Sequence, residues 1–466
     1  MKINEKYESI KKNGLSLSEI IFATLGEPHN IKDKTPRVFS IYTDTRGDVS
    51  GSLFVPLKGE NFNGHDFIKK AFDNGALCSL TEEKISTDKP YILVKNTLKA
   101  YGDIAAYYKR KFDVLTVGIT GSVGKTTTKE AVCAVLSQKY PVLKTKENHN
   151  NEVGLPQTIL SLTSFHRAAV IEMGMVAEGE ISYLSKITAP DISVITNIGS
   201  SHIGSLGSRE NILKAKCEIV HGMKKNGILL LNGDDEMLSR VKDTKQMRLY
   251  VGTDNEKCDF GAKNIKITSD GVSFDLWFDG ALAKDMFFPS LGRHSVYAAL
   301  FACACGILCG LNNDEIRRGL SSYIPVDLRQ KITMSGGIRK IEDCYNASPE
   351  SMRASIDTLK YLNVSNNRRA VAVLGEMKEL GSFAPEMHDN VGKYAAKMCD
   401  AVFLFGGGDN ISFMKKGAEA EGKTPIMLGE DIPSAYEILK ENIDNGDTVL
   451  FKASRAVRLE RLSELL

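Results

Sequence analysis

The sequence predicts an α/β protein of three domains: a small α/β N-terminal module, a central P-loop domain on a mostly parallel sheet, and a C-terminal Rossmann-like doubly wound domain. Three observations predict it. The chain has 466 residues, and domains of about 100–200 residues divide that length into three. Short apolar runs alternate with helical stretches, first from Asp113 and again after Pro325, which is how βαβ units and parallel sheets read. Glycine stands at 40 residues, a little above the usual ~7%, as frequent strand-to-helix turns require.

In chain order, residues 1–96 carry strand-like runs at 52–57 and 91–94 around glycine- and asparagine-bearing turns such as 59–64, the pattern of a small α/β module. Residues 97–326 form the central domain. Its apolar runs at 114–120, 168–173 and 192–198 are each followed by a helical stretch, at 125–138, 178–187 and 209–222. The less regular stretch 247–289 contains the alternating run Val272-Ser273-Phe274-Asp275-Leu276-Trp277-Phe278, an antiparallel strand expected to extend the central sheet. Residues 296–311 are apolar but short of the ~20 that a membrane span needs, and read as a buried helix. Cys303, Cys305 and Cys309 fall inside it without C-x-x-C spacing, so they read as small core residues rather than metal ligands. Residues 327–466 hold five apolar runs, at 338–341, 370–374, 401–405, 425–428 and 448–451, separated by helices.

Composition excludes whole classes of function. Hydrophobic residues at 42% and charged residues at 25% are ordinary for a globular chain and exclude collagen, low-complexity polymers and wholesale disorder. Lys+Arg 60 against Asp+Glu 58 leaves a formal +2, no footprint for nucleic acid or anionic lipid, yet compatible with a local basic site for one phosphorylated ligand. Nine cysteines, an odd number, fit reduced thiols. The opening Met1-Lys2-Ile3-Asn4-Glu5-Lys6 has mixed charge and no apolar stretch after it, so no signal peptide and a cytoplasmic location are expected.

The strongest motif follows the strand Val114-Leu115-Thr116-Val117. It reads Gly118-Ile119-Thr120-Gly121-Ser122-Val123-Gly124-Lys125-Thr126-Thr127-Thr128 and opens a helix. Glycines let successive backbone N–H groups converge on phosphate oxygens, the helix N-terminus adds its positive end, Lys125 neutralises charge and Thr126 can ligate Mg²⁺. The spacing departs from strict G-x-x-x-x-G-K-[ST], because Ile119 stands where the first glycine would. ATP is the expected ligand, held by Gly121, Ser122, Val123, Gly124, Lys125, Thr126 and Thr127.

In doubly wound sheets ligands lie outside the carboxyl ends of the strands. The run 168–171 leads straight into Glu172, and 192–195 leads through Thr196-Asn197-Ile198-Gly199 to His202. A carboxylate and an imidazole are thereby expected at the same edge as Lys125. Carboxylate and phosphate oxygens suit Mg²⁺, whereas a histidine is a less usual ligand for so hard a cation, so a second site calls for further oxygen donors.

Gly118 to Thr128, Asn148-His149-Asn150-Asn151-Glu152-Val153-Gly154-Leu155-Pro156-Gln157-Thr158, Glu172-Met173-Gly174 and Asn197-Ile198-Gly199-Ser200-Ser201-His202 together resemble the Mur ligases, the ATP-dependent amide ligases of peptidoglycan precursor synthesis. The resemblance spans essentially the whole chain. It implies activation of a peptide carboxylate as an acyl phosphate, attack by an amine and release of ADP and phosphate. It further implies two Mg²⁺ ions, one held by Thr126 and Glu172 and a second helped by His202. Lys216 in Lys214-Ala215-Lys216-Cys217-Glu218 matches a lysine carbamylated by CO₂, which would supply the missing oxygen donors; Lys214 is its neighbouring competitor.

The outer domains point within the family. Thr43-Asp44-Thr45-Arg46, the stretch around Lys58 and Asn63-Gly64-His65 resemble a uridine-nucleotide-binding module, implying that Thr45, Arg46 and Lys58 bind the UDP substrate; a polar turn before a strand is the plain alternative. Asn150 and Asn151 are implied on the substrate side. Asp343-Cys344-Tyr345-Asn346, Leu374-Gly375-Glu376-Met377-Lys378-Glu379-Leu380-Gly381, His388 and Lys452-Ala453-Ser454-Arg455 look like the branch that joins D-alanyl-D-alanine to UDP-N-acetylmuramoyl-tripeptide. By that resemblance Asp343 and Tyr345 contact ATP, Asn346 joins Lys125, Glu172, His202 and Lys216 as catalytic, and Lys452, Ser454 and Arg455 line the cleft. The family's Gly-Arg-His-Asn stretch with a second Asn three residues later is here Gly292-Arg293-His294-Ser295-Val296-Tyr297-Ala298, so only Arg293 and His294 are carried over to ATP. Arg329 is expected to reach a phosphate, a hinge-surface arginine being equally consistent with its position. A sibling that adds a single diamino acid, or a P-loop ATPase switch, are the competing functions. A monomer is expected, with a large motion of the last domain to shield an acyl phosphate from water.

Overall fold

The computed structural model describes residues 14–242, 244–364 and 368–466. The stretch Met1 to Lys6, on which the expectation about a signal peptide rests, lies outside them. Among the described residues no helix is long and apolar enough to cross a membrane.

Near the N-terminus a five-stranded sheet runs Glu27–His29, Tyr91–Leu93, Cys78–Thr81, Leu53–Phe54, Ile41–Tyr42, parallel except for the first pair. Only Leu53–Phe54 of the expected strand 52–57 is paired. A capping box, with Ser16 Oγ accepting from Glu19 N–H and the Glu19 carboxylate accepting from Ser16 N–H, starts the helix Leu17–Thr24. Asn96 caps the helix Thr97–Lys109, its side chain accepting from Lys99 N–H at 2.7 Å. That helix buries Ala100, Tyr101, Ile104 and Ala105; Tyr108 donates to the Leu162 carbonyl at 2.8 Å, and Thr97 N–H donates to Glu82 Oε1 at 2.9 Å, tying the helix to the N-terminal module.

The central sheet has nine strands in the order Ala281–Phe288, Val272–Phe278, Phe260–Ile267, Met247–Gly252, Ile228–Asn232, Ile192–Ile195, Leu115–Thr120, Ala168–Glu172, Val142–Lys144. Pairing is parallel from Val142–Lys144 through Phe260–Ile267, and the last two additions are antiparallel, as the alternating run around Trp277 predicts. Leu115–Thr120 lies between the two strands that matter most: Glu172 pairs with Ile119 and Ile195 with Thr120, so three strand ends are level. The apolar helix Ser295–Leu308 packs against the helix Lys125–Leu136 and is buried with Cys303 and Cys305, whose thiols burial pushes up. These cysteines are core, as expected.

The C-terminal sheet has six strands, Lys331–Ser335, Ile338–Glu342, Thr448–Lys452, Ala370–Leu374, Ala401–Phe405, Ile426–Gly429, all parallel apart from the Lys331–Ser335 edge. That edge strand is absent from the five expected runs. Lys-Ile-Thr-Met-Ser has too little continuous apolar character to register, because an edge strand beside solvent needs none.

Candidate active site

The phosphate loop leaves the sheet at Gly121, whose φ is +147° and where an added Cβ would come within 1.9 Å of Thr196 Oγ1. Only glycine fits there. The loop is then clamped by the neighbouring strand end. Thr196 Oγ1 donates to the Val123 carbonyl at 2.6 Å, Asn197 Oδ1 accepts from Val123 N–H at 2.9 Å, and Asn197 Nδ2 donates to the Val123 carbonyl at 3.0 Å. Ser122 N–H donates to the Asn197 carbonyl at 3.1 Å and Ser122 Oγ accepts from Gly199 N–H at 2.9 Å. Gly124, at φ +82°, begins the helix Lys125–Leu136, and Thr127 lies against Tyr323. Lys125 Nζ folds back onto the Gly121 and Ser122 carbonyls at 2.8 and 3.3 Å. Desolvation holds its pKa below the ordinary lysine value, with Glu172 opposing and Arg329 adding to the fall.

Glu172 is the centre of the second layer. Only 2% exposed, it accepts from Thr126 Oγ1 at 2.9 Å on one oxygen and from Asn150 Nδ2 at 2.9 Å on the other, while its own N–H donates to Thr145 Oγ1. Buried Lys129 stands 3.9 Å from the same carboxylate and donates to the Thr145 carbonyl at 2.9 Å. Arg329 reaches in from the opening of the last domain: its Nη2 donates to Thr126 Oγ1 at 3.0 Å and its guanidinium lies 4.1 Å from the Tyr345 ring centre. Arg329 therefore touches the phosphate-loop helix and is not confined to the hinge surface. A hydroxyl and a carboxylate form a hard, oxygen-only donor set that fits Mg²⁺. Among the described residues no group of three or more His, Cys, Asp and Glu is placed to hold a metal unaided.

His202 follows two residues after Ser200, in the left-handed region at φ +65°. Its Nδ1 is 2.8 Å from Glu379 Oε2, and this contact holds the Glu379 carboxyl below its ordinary pKa. Lys216 is 1% exposed and its amine has no hydrogen-bond or ion-pair partner among the described residues; burial foremost, with Lys125 adding, drives that amine well below the usual range. Lys214, its competitor, is exposed.

Other expected residues find their hydrogen-bond and ion-pair partners outside this cluster. Lys452, 1% exposed, pairs inside its own domain with Asp343 Oδ2 at 2.6 Å, and the same oxygen accepts from Ser355 Oγ. Lys452 also donates to the Asn346 carbonyl at 3.2 Å, and the exposed Asn346 side chain accepts from Ala347 N–H. Ser454 Oγ accepts from Lys378 N–H at 2.9 Å, and Arg455 pairs with Glu460 at 2.9 Å. Arg293 pairs with Asp254 at 2.7 Å on the surface beside exposed His294, while Ser295 Oγ donates to the Ser290 and Gly292 carbonyls and is buried. In the N-terminal module Arg46 is paired with Asp44, Lys58 with Glu82 at 2.7 Å, and Thr45 is buried. Asn151 Oδ1 accepts from Val153 N–H at 3.3 Å and Gly154 N–H at 2.9 Å, whereas its neighbour Asn150 bonds to Glu172.

Lys129 and Glu350, whose carboxylate accepts from Ser200 N–H at 2.8 Å, went unnamed in the sequence reading, and Thr196, Asn197 and Glu379 stood inside its motifs without a role. A signal existed for Lys129, one turn beyond Lys125 on an otherwise buried helix face, and for Asn197 at a strand end.

Family models match over much of the chain: the Mur ligase middle domain at residues 119–306, and the Mur ligase, glutamate ligase domain at residues 329–455. The UDP-N-acetylmuramoyl-tripeptide–D-alanyl-D-alanine ligase of Bacillus subtilis (strain 168) is 35% identical over 97% of this chain and 98% of its own length. The chain belongs to the Mur ligase family. Among solved Mur ligases, MurF from Acinetobacter baumannii superimposes with a TM-score of 0.89 at 28% identity, covering 98% of this chain and 99% of that one. MurF from Thermotoga maritima in complex with ADP gives 0.81 at 31% identity over 91% and 96%.

Proposed function

We propose that this Mur ligase joins D-alanyl-D-alanine to UDP-N-acetylmuramoyl-tripeptide in the cytoplasm at the expense of ATP. The observation that carries the reading is the Thr126–Glu172–Asn150 cluster beside Lys125, with Arg329 entering from the last domain. The similarity to relatives named for this reaction supports the choice of substrates. Residues 1–96 would take the UDP substrate, 97–326 the ATP, and 327–466 would complete the cleft for the dipeptide. The protein is proposed to act as a monomer.

A carboxylate is a poor electrophile because oxide would have to leave. Transfer of the γ-phosphoryl group to the tripeptide carboxylate gives an acyl phosphate and ADP; the dipeptide amine then attacks its carbonyl carbon, phosphate leaves, and the amine gives up a proton. Lys125 and Arg329 supply positive charge where two anions must meet. Glu172 holds the Thr126 hydroxyl and the Asn150 amide in fixed positions, and Lys129 keeps a compensating charge behind it. Mg²⁺ held by Thr126 and Glu172 would neutralise phosphate charge. His202, with Lys216 as its carbamate, would hold a second ion. Burial and the lack of a counter-ion fit the Lys216 amine to add CO₂, forming an N–C bond and releasing one proton.

Phosphate release with the UDP-tripeptide and D-alanyl-D-alanine together, and not with either alone, is the test. Equal release without the amine would replace this reading by that of an ATPase switch, and preference for a single diamino acid would replace it by that of a sibling ligase.

A further inference from the structure

Two carboxylates of the last domain grip one turn of the central domain. Glu350, in the first turn of the helix Pro349–Val364, accepts from Ser200 N–H at 2.8 Å and from Ser200 Oγ at 2.9 Å. Glu379 pairs with His202 Nδ1 at 2.8 Å, and its carbonyl accepts from Gly204 N–H at 3.1 Å. Between these bonds the two segments approach closely at glycines. A Cβ on Gly199 would stand 2.9 Å from the Glu350 carboxylate carbon, and one on Gly204 would stand 2.7 Å from Gly381 N.

The Glu379 side of this grip is braced from behind. Fully buried His388 donates from Nδ1 to the Ala384 carbonyl at 2.7 Å and accepts at Nε2 from Met377 N–H at 3.0 Å, while Ser454 Oγ accepts from Lys378 N–H. Both members of the pair also sit at positive φ, His202 at +65° and Glu379 at +68°. For a glutamate that conformation is uncommon and persists only where its surroundings impose it.

We infer that Glu379 is a positioning residue for His202, and that Glu350 and Glu379 form a clasp through which docking of the last domain and orientation of the imidazole become a single event. The inference rests on the ligase reading for its kinetic meaning, though the clasp itself is defined by contacts between this chain's own residues. It also accounts for Ser454 and His388, which hold the loop that carries Glu379.

The test uses the full chain with Glu379→Ala, Glu379→Gln, Glu350→Gln and Gly204→Ala. Gly204→Ala removes no charge and only obstructs the approach of Gly381. Three readouts are taken: steady-state kinetics, small-angle scattering with and without ADP and Mg²⁺, and the ¹⁵N signal of His202, assigned from a His202→Gln spectrum. Glu379→Ala should lower kcat by about tenfold or more while leaving KM for ATP within about twofold. Glu379→Gln, which keeps an acceptor oxygen, should recover part of that loss. Glu350→Gln and Gly204→Ala should expand the scattering envelope, and all four variants should shift the His202 signal. Wild-type kcat, scattering and His202 signal in Glu379→Ala would overturn the proposal. If the wild-type chain does not turn over D-alanyl-D-alanine, the ligase reading falls, while scattering and the His202 signal still judge the clasp.

Discussion

The phosphate-loop cluster and the Asp343–Lys452 cluster use the same chemistry to opposite ends. In the first, Glu172 is buried but its partners are Thr126, Asn150 and a lysine 3.9 Å away, so its charge remains available to a cation. In the second, Lys452 closes directly onto Asp343 at 2.6 Å, with Ser355 on the same oxygen, and the charge is consumed within the domain. A buried carboxylate is therefore poised for ligand binding when its neighbours are hydroxyls and amides, and committed to structure when its neighbour is an ammonium in contact.

The sharpest way to break this comparison is Lys452→Met. If the pair is structural, leaving Asp343 buried and alone should lower stability by about 3–5 kcal/mol, read by denaturant unfolding; unchanged stability with lost activity would place Lys452 in the cleft instead. Glu172→Gln should do the converse, lowering kcat by about 10²–10³-fold while the thermal midpoint moves little, because its partners can bond to an amide. Lys216→Ala should cost roughly 100-fold in kcat, with partial return on adding acetate; full activity in the variant would remove the carbamate from the account.

A smaller effect is expected from pH. Burial holds His388 below its ordinary pKa, so the unfolded chain binds the extra proton first as acid is added. Stability of the last domain should then fall as pH drops below the ordinary histidine value, with a slope of up to about 1.4 kcal/mol per pH unit until the folded-state pKa is reached. His388→Asn should flatten that slope in thermal melts between about pH 5 and 7.5. Smallest for stability is Arg46→Ala, whose exposed pair with Asp44 should leave melting unchanged while KM for the UDP substrate rises; an unchanged KM would return Thr45-Arg46 to being a polar turn.

What was legible in the sequence follows the same division. Gly121, Lys125, Thr126, Glu172 and His202 are found because each lies at the end of a strand or opens a helix, and parallel pairing brings strand ends level whatever the details of packing. Arg329 could only be left between two readings, since its partner Thr126 lies in another domain, 203 positions away, and their meeting depends on how the two domains dock. Glu350 went unread and Glu379, though inside a recognised motif, carried no role for that reason: each looks like a solvated acid on its own element. Ser295 illustrates the other direction. Its place in a motif suggested only an absent amide, whereas its hydroxyl is occupied in bonding the Ser290 and Gly292 carbonyls.

The glycine-lined seam between the central and last domains has a kinetic meaning. Where Gly204 faces Gly381 there are no rotamers to freeze on docking or to release on parting, although Ile198 and Ile203 of the central domain share one apolar cluster with Met377 and Leu380 of the last. Beside that apolar contact stand the charge-assisted bonds of Glu350 and Glu379, which dissolved salt weakens. Turnover limited by product escape would accelerate with ionic strength, the reverse of what a greasy seam alone would give.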